Sequence, residues 1–401
     1  MTVHSEDPAV VGGADTHADT IHVAVVSVHG RDLADHEFPT TAAGYRGAII
    51  FLTSHGSVEA VGIEGTSSYG AGFARVAKAA GLRVVEVNRP DRAERRRRGK
   101  SDPIDAYQAA HAVRSGRATT PPKDEAIEGI RALHNARHSA VKARTAAINQ
   151  IHQMLITSPD SIRTKYAAVQ PNSLIKTLAG IRTVSSDPVV TAVLASLRAL
   201  AKRCQFLTQQ HTDLGAVLDA MVTAANPGLR AAYGLGPDTT AQLLITAGGN
   251  SDRLRSEASF AALCGVAPVP ASSGKITRHR LSRGGDRAAN NALYRIALVR
   301  MSSHAPTRAY VARQVAAHKT KAEIIRMLKR AIAREIFRYL TQHISVPEIA
   351  DLRPARQAKN ITLTHVANHF SVWPMVISKI ERGTRRDDDF ANAYRTWLNA
   401  A

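Results

Sequence analysis

The chain has 401 residues, 53 Lys and Arg against 33 Asp and Glu, a formal net charge of +20 and a pI of about 10.4. That length permits two or three domains with separate cores, the 44% hydrophobic content excludes wholesale disorder, and the charge points to a nucleic-acid partner. No apolar run approaches a membrane span, MTVHSEDPAV lacks the basic-then-apolar order of a signal peptide, and two isolated cysteines, Cys204 and Cys264, suit a reducing cytoplasm rather than a zinc site or disulfide framework.

In chain order, VVGGADTHAD (10–19), IHVAVVSV (21–28) and RDLADHEF (31–38) predict three consecutive strands, with Gly30 in the turn between the second and third. TAAGYRGAIIFLTSHG (41–56) predicts a helix with Tyr45, Ile49 and Leu52 on one stripe. VEAVGIEG (58–65) is a buried strand, SYGAGFARVAKAAG (68–81) a helix ended by Gly81, and LRVVEVN (82–88) a further strand. SDPIDAYQAAHAVRSG (101–116) opens a helix with Ser101 or Asp102 as N-cap and Pro103 in the first turn. Three strands followed by helix, strand, helix, strand, helix is the order of an RNase H-like α/β domain, a fold-level analogy that does not itself fix a function.

The acids matter by position. Asp15 lies near the end of the first strand, Glu64 ends the fourth, and Asp102 and Asp105, three apart at the head of the last helix, share a face. Taken singly, Asp102 is an N-cap, Asp15 a turn residue and Glu64 a solvated strand end. Together they form a cluster that would repel itself without a cation, and hard oxygen ligands select Mg²⁺ or Mn²⁺. Two such ions clamp the attacking and leaving oxygens of a phosphodiester. Directly before this helix stand Arg95, Arg96, Arg97, Arg98 and Lys100. A charge run is usually a solvated face; here the sharper reading is that it holds a polyanion while the aspartates hold a cation that acts on it. Glu64 also opens EGTSSYG, where Gly65 allows close backbone approach and Thr66 and Ser67 offer hydroxyls to phosphate.

ATTPPKDEA marks a boundary at Pro121 and Pro122. Two long helices follow, about 125–156 and 189–225. Both are too polar to form a compact core by themselves, so an antiparallel coiled-coil hairpin that binds nucleic acid or another subunit is expected. YGLGPDTTAQLLITAGG (233–249) resembles half of a helix-hairpin-helix, its Gly-x-Gly turn offering N–H groups to phosphate. ASSGK (271–275) then places two serines in a Pro- and Gly-rich loop near Lys275, Arg278 and Arg280, cations able to neutralise phosphate beside a serine nucleophile. On spacing alone, a polar surface loop is the better reading of ASSGK.

IEGTSSYG, VEVNRPDRAERRRRGKSDPIDA and GVAPVPASSGKITRHRLSRGGDRAANNALYRIA together resemble the insertion-sequence family one-ten of bacterial transposases, over about Val10 to Met327. That family pairs a RuvC-like DEDD domain with a serine-bearing, mainly α C-terminal transposase domain. The resemblance places its four acids on Asp15, Glu64, Asp102 and Asp105, as metal ligands and catalytic groups. It places its nucleophilic serine on Ser273, with Ser272 next and Ser282 a distant third. It implies strand exchange through a serine–DNA covalent link, guided by a structured bridge RNA that pairs with donor and target DNA. A homo-oligomer, dimer or tetramer, is expected.

The tail departs from that pattern. THVANHF, SV and WPMVISKIERG (364–383) resemble a Cro/repressor-type helix-turn-helix with Ser378, Lys379 and Arg382 towards the groove. Trp373 and Trp397 are expected in its small core, and the polar, proline-bearing stretch 342–360 is expected to be a mobile link. The expected domains are therefore 1–120 (RuvC-like), 121–226 (helical), 227–340 (serine-bearing) and 341–401 (link and helix-turn-helix). Two other functions compete: a metal-dependent junction nuclease that uses water, and a non-catalytic transcriptional regulator.

Overall fold

The computed structural model describes residues 8–87, 101–182, 185–249, 253–271, 279–280, 284–346, 348–383 and 387–400. The chain divides into two compact units, residues 1–128 with 248–253, and residues 129–247 with 254–401.

The first unit is built on a five-stranded mixed sheet in the order β3-β2-β1-β4-β5. Its strands are β1 (Ala9–Thr16), β2 (Thr20–Ser27), β3 (Asp32–Pro39), β4 (Ser57–Glu64) and β5 (Val84–Val87). β1 pairs antiparallel with β2 and parallel with β4, so it is the central strand. Its sequence, AVVGGADT, is small and apolar because it is covered on both faces and buried along nearly its whole length. β3, DLADHEFP, lies at the sheet edge and is mostly exposed, and its charges suit an edge that must not recruit further strands. Gly30 takes φ +94° in the β2–β3 turn, the conformation its position in the sequence predicts.

Helices α1 (Ala42–Thr53) and α2 (Ala71–Ala79) supply Leu52 and Phe73 to the core on one face, against Ile21, Val23, Val25 and Ile63. Leu52 and Phe73 are wholly buried, and each such side chain stabilises the fold by about 1.5–3 kcal/mol. Helix α3 (Asp102–Arg114) covers the other face, with Ala110 packed on Val11 and Val26. Two glycines seat it. A Cβ on Gly13 would stand 2.1 Å from the Ala106 carbonyl oxygen, and one on Gly62, its register partner in β4, 2.7 Å from that of Ala109. The absence of side chains there lets the α3 backbone lie directly on the strands.

The rest of the chain is mostly helical. Between α4 (Glu125–Thr157) and α7 (Pro188–Ala225), the Arg144 Nε donates to the Thr208 hydroxyl at 2.9 Å and the Arg137 Nε to the His211 carbonyl at 3.2 Å. Those pairings run in opposite chain directions, as the sequence predicts for a hairpin. Two short helices not foreseen from sequence, α5 (Asp160–Ala167) and α6 (Pro171–Ala179), close its far end. Ile162, Tyr166, Leu174 and Leu178 pack there on Ile151, Leu194 and Leu197. The polar hairpin thus gains a compact core where the apolar side chains of α5 and α6 add to the few its own two helices supply.

Helices α8 (Pro227–Ala231), α9 (Pro237–Ala247), α10 (Glu257–Leu263), α11 (Arg287–Ser303), α12 (Ala305–Ala316) and α13 (Lys321–Thr341) follow, with the short β6 (Val269–Pro270) and β7 (His279–Arg280) paired antiparallel. Arg300 on α11 is buried and makes two bonds, 2.6 and 2.8 Å, to the carboxylate of Glu335 on α13. Lys329 holds the Asn290 side chain at 2.8 Å, and Asn290 donates to the carbonyls of Cys264 and Gly265, pinning the chain just before the Pro- and Gly-rich loop.

The tail comprises α14 (Leu352–Ala358), α15 (Leu363–His369), α16 (Pro374–Glu381) and α17 (Asp388–Ala400) around Leu352, Val366, Ile377, Ile380, Tyr394 and Leu398. Part of the expected link is therefore helix, with Leu352 fully buried. Its polar Arg356 is buried as well, bound to Glu381 at 2.6 and 3.1 Å, and Tyr394 donates to the same carboxylate at 3.0 Å. Trp397 packs against this core as expected, but Trp373 does not: it is 81% exposed at the head of α16. Among the described residues no helix is long and apolar enough to cross a membrane.

Candidate active site

Asp15 is the penultimate residue of β1 and only 7% exposed. Its Oδ1 accepts the Thr16 N–H at 3.0 Å, while its buried Oδ2 has no hydrogen-bond partner. The head of α3 brings up Asp102, partly exposed, and Asp105, 3% exposed. Ser101 precedes them in extended conformation without a side-chain cap, so the partial positive charge of the helix start faces its own first-turn acids. Burial raises the Asp15 carboxyl above its ordinary value of 3.8; His17 opposes this, Asp105 adds to it, the Thr16 N–H opposes it and Asp102 adds to it. The carboxyl groups of Asp102 and Asp105 thus act on Asp15 directly.

His17 completes the cluster and was missed from sequence. Its Nε2 lies 3.2 Å from Asp15 Oδ2 and 3.3 Å from Asp102 Oδ1. Among the described residues Asp15, His17 and Asp102 form a group able to hold a metal ion, one donor atom from each lying within 4.8 Å of the others. The only trace of it in the sequence is its place two residues after Asp15, one position beyond the end of β1.

Glu64 ends β4, beside the end of β1, and is half-buried. Its backbone carbonyl accepts the Thr16 hydroxyl at 3.0 Å, which ties the two strand ends together, but its carboxylate is not among the three converging donors. Gly65 turns at φ +67°, and Thr66 is buried with its hydroxyl unpartnered.

Of the expected nucleic-acid contacts, Arg280 is exposed on β7, Lys379 and Arg382 are exposed on and just after α16, and Ser378 is half-buried. Arg382 Nε donates to the Ser378 carbonyl at 3.1 Å. Arg95, Arg96, Arg97, Arg98, Lys100, Ser272, Ser273, Lys275, Arg278 and Ser282 lie outside the described residues.

Comparison with known proteins gives the family. A DEDD transposase profile of the IS110 type, described as "Transposase", matches residues 12–158, the span that holds Asp15, Glu64, Asp102 and Asp105. A second, described as "Transposase IS116/IS110/IS902 family", matches residues 228–312. The chain belongs to the IS110 transposase family. A relative from Streptomyces coelicolor, the "Insertion element IS110 uncharacterized 43.6 kDa protein", is 31% identical over 157 residues. That alignment spans 38% of this chain and 37% of the relative. The IS110 profiles end before the tail helices α14 to α17 begin.

Proposed function

We propose that this chain is a DNA transposase that breaks and rejoins phosphodiesters with a divalent cation held by an RNase H-like unit. The observation that carries this reading is the convergence of Asp15 and Asp102, with Asp105 beside them, around a buried carboxylate oxygen that no protein donor satisfies. Asp15 Oδ2 makes no hydrogen bond and has only the His17 Nε2, 3.2 Å away, beside it, so a cation held there would relieve the cost of its burial. The strand order β3-β2-β1-β4-β5 with α3 across one face supports the RNase H-like reading.

In this reading Asp15, Glu64, Asp102 and Asp105 hold Mg²⁺, with Mn²⁺ as an alternative. When bound, the cation supplies Lewis-acid polarisation of the scissile phosphate. Ser273 provides the nucleophile: its hydroxyl oxygen bonds to phosphorus as it gives up its proton, one phosphorus–deoxyribose oxygen bond breaks, and the departing oxygen takes up a proton and leaves as a free hydroxyl. The serine–DNA linkage keeps the bond energy for rejoining. Donor and target DNA, a structured bridge RNA that pairs with both, and further copies of the chain are the partners, with the cytoplasm as the place of action. The +20 charge supports polyanionic partners. The exposed Lys379 and Arg382 support a helix-turn-helix role for the tail.

The test is a denaturing gel of the purified chain with DNA and Mg²⁺. A covalent protein–DNA adduct is expected, lost in Ser273→Ala and retained in Ser272→Ala, with a discrete RNA among the copurifying nucleic acids. Cut ends without any adduct would instead establish a nuclease that uses water, and binding without cleavage a regulator.

A further inference from the structure

The DEDD reading leaves His17 without a role, yet its Nε2 sits where the acids converge. The nitrogen is sequestered from solvent although 41% of the side chain is exposed, so the ring is turned with Nε2 inward. Its contacts to Asp15 Oδ2 and Asp102 Oδ1, 3.2 and 3.3 Å, are short enough for hydrogen bonds, but neither Nε2 nor Asp15 Oδ2 makes one. One donor atom from each of Asp15, His17 and Asp102 lies within 4.8 Å of the others, close enough to share one ion.

That spacing has a simple meaning. Donors about 2.1 Å from one ion and at right angles around it stand about 3.0 Å apart. The observed separations are a few tenths of an ångström longer, an adjustment that side-chain rotation supplies. Asp15, with its orphaned Oδ2 on a residue more than nine-tenths buried, anchors the point from the strand, and Asp102 approaches from the helix.

We propose that His17 is a nitrogen ligand of the cation site, binding through Nε2 beside Asp15 Oδ2 and Asp102 Oδ1, and that it biases the site towards Mn²⁺ over Mg²⁺. This rests on the metal-dependent reading above. The selectivity follows from donor chemistry: Mg²⁺ takes oxygen almost exclusively, whereas imidazole nitrogen is a good ligand for transition metals and Mn²⁺ accepts both. An all-carboxylate site discriminates weakly between the two ions, and one imidazole tilts it.

The experiment is pulsed electron paramagnetic resonance on the full-length protein loaded with Mn²⁺, with affinities from titration of the free Mn²⁺ signal and from competition by Mg²⁺. Wild type is expected to show ¹⁴N modulation from a bound imidazole. His17→Ala should lose that modulation and about tenfold or more in Mn²⁺ affinity, with a smaller loss for Mg²⁺. His17→Asp, an all-oxygen set, should recover Mg²⁺ binding without restoring the nitrogen signal. The exposed ring makes either variant compatible with folding, checked by thermal melting. Specific Mn²⁺ binding that lacks nitrogen modulation in wild type, or keeps it in His17→Ala, overturns the proposal while leaving the carboxylate site intact. No specific Mn²⁺ binding, with Asp102→Ala indistinguishable from wild type, would bring down the metal-dependent reading and this proposal with it.

Discussion

Gly13→Ala tests whether the site depends on how closely α3 lies on β1. A methyl at Gly13 would stand 2.1 Å from the Ala106 carbonyl oxygen, 2.4 Å from the Ala110 nitrogen and 2.9 Å from the Ala110 Cβ, whereas ordinary contact begins at 3.4 Å. All three atoms belong to α3, and two are backbone, so no side-chain rotation relieves the clash. Taking the worst contact from 2.1 to 3.4 Å requires the helix to retreat by about 1.3 Å. Asp102 and Asp105 ride on its first turn, so the 3.3 Å contact between Asp102 and His17 would open, while the 3.2 Å contact of His17 with Asp15 on β1 would stay. Overpacking of this kind costs about 1–3 kcal/mol of stability, and a misplacement of about 1 Å costs on the order of 100-fold in rate. Thermal melting, Mn²⁺ titration and a recombination assay should all register the change. Gly47→Ala is the control: its Cβ would meet only Phe38, at 3.4 Å, within α1, so it should be neutral or gain about 0.5–1 kcal/mol. A Gly13→Ala protein that melts with wild type and binds Mn²⁺ equally well would refute the seating argument.

Asp15→Asn should raise the melting temperature of the metal-free protein. The folded Asp15 holds its proton above the ordinary 3.8, so its stabilising effect is complete below that value and disappears as pH rises through the raised one. The advantage of the variant over wild type should accordingly vanish in acid and be full at neutral pH, and a flat difference across the titration would contradict the burial argument. Neutralising Arg95 to Arg98 should weaken binding of all DNA sequences alike and flatten the plot of log affinity against log salt by about one for each phosphate no longer neutralised; an unchanged slope makes the run a solvated face. Glu381→Ala leaves Arg356 buried without its partner and should destabilise the tail by about 3–5 kcal/mol. Both tryptophans of the chain lie in the tail, and the packed Trp397 reports its unfolding in urea; a loss below about 1 kcal/mol would count against the buried pair.

The strands and first three helices of the sheet unit were legible because each carries a period: β-branched runs for β2 and β4, an apolar stripe for α1, a Ser-Asp-Pro start for α3. The acids were legible because an element order fixes which strand and helix ends meet. His17 was not, because a histidine next to a turn has no period and its meaning depends on Asp102, some 85 residues away in sequence. Gly12-Gly13 was read as part of a strand without its purpose, since a helix seat appears only when the helix is in place. Short helices α5 and α6 were not read from the sequence at all. Trp373 was assigned to the core on its apolar bulk alone, and the turn before Pro374 carries it outward instead.

Weighed against each other, the charges explain why an acidic cluster that His17 only partly offsets is kept at this point in the fold. Asp15 and Asp102 offer oxygens within 4.8 Å of each other, which at an effective dielectric near 20 corresponds to about 3.5 kcal/mol of repulsion or more, less once water around the partly exposed Asp102 screens it. Asp105, nearly buried, adds to it. The start of α3 returns only about 0.3–1 kcal/mol per acid. The dipole therefore loses, and a sheet core with wholly buried Leu52, Ile63 and Phe73 carries the difference. A divalent ion in the same place reverses the sign, stabilising the folded protein by an amount that grows with its concentration over Kd. Acids kept at a cost to the apo fold, around a carboxylate oxygen that makes no hydrogen bond, are better explained by a cation than by any contribution to folding.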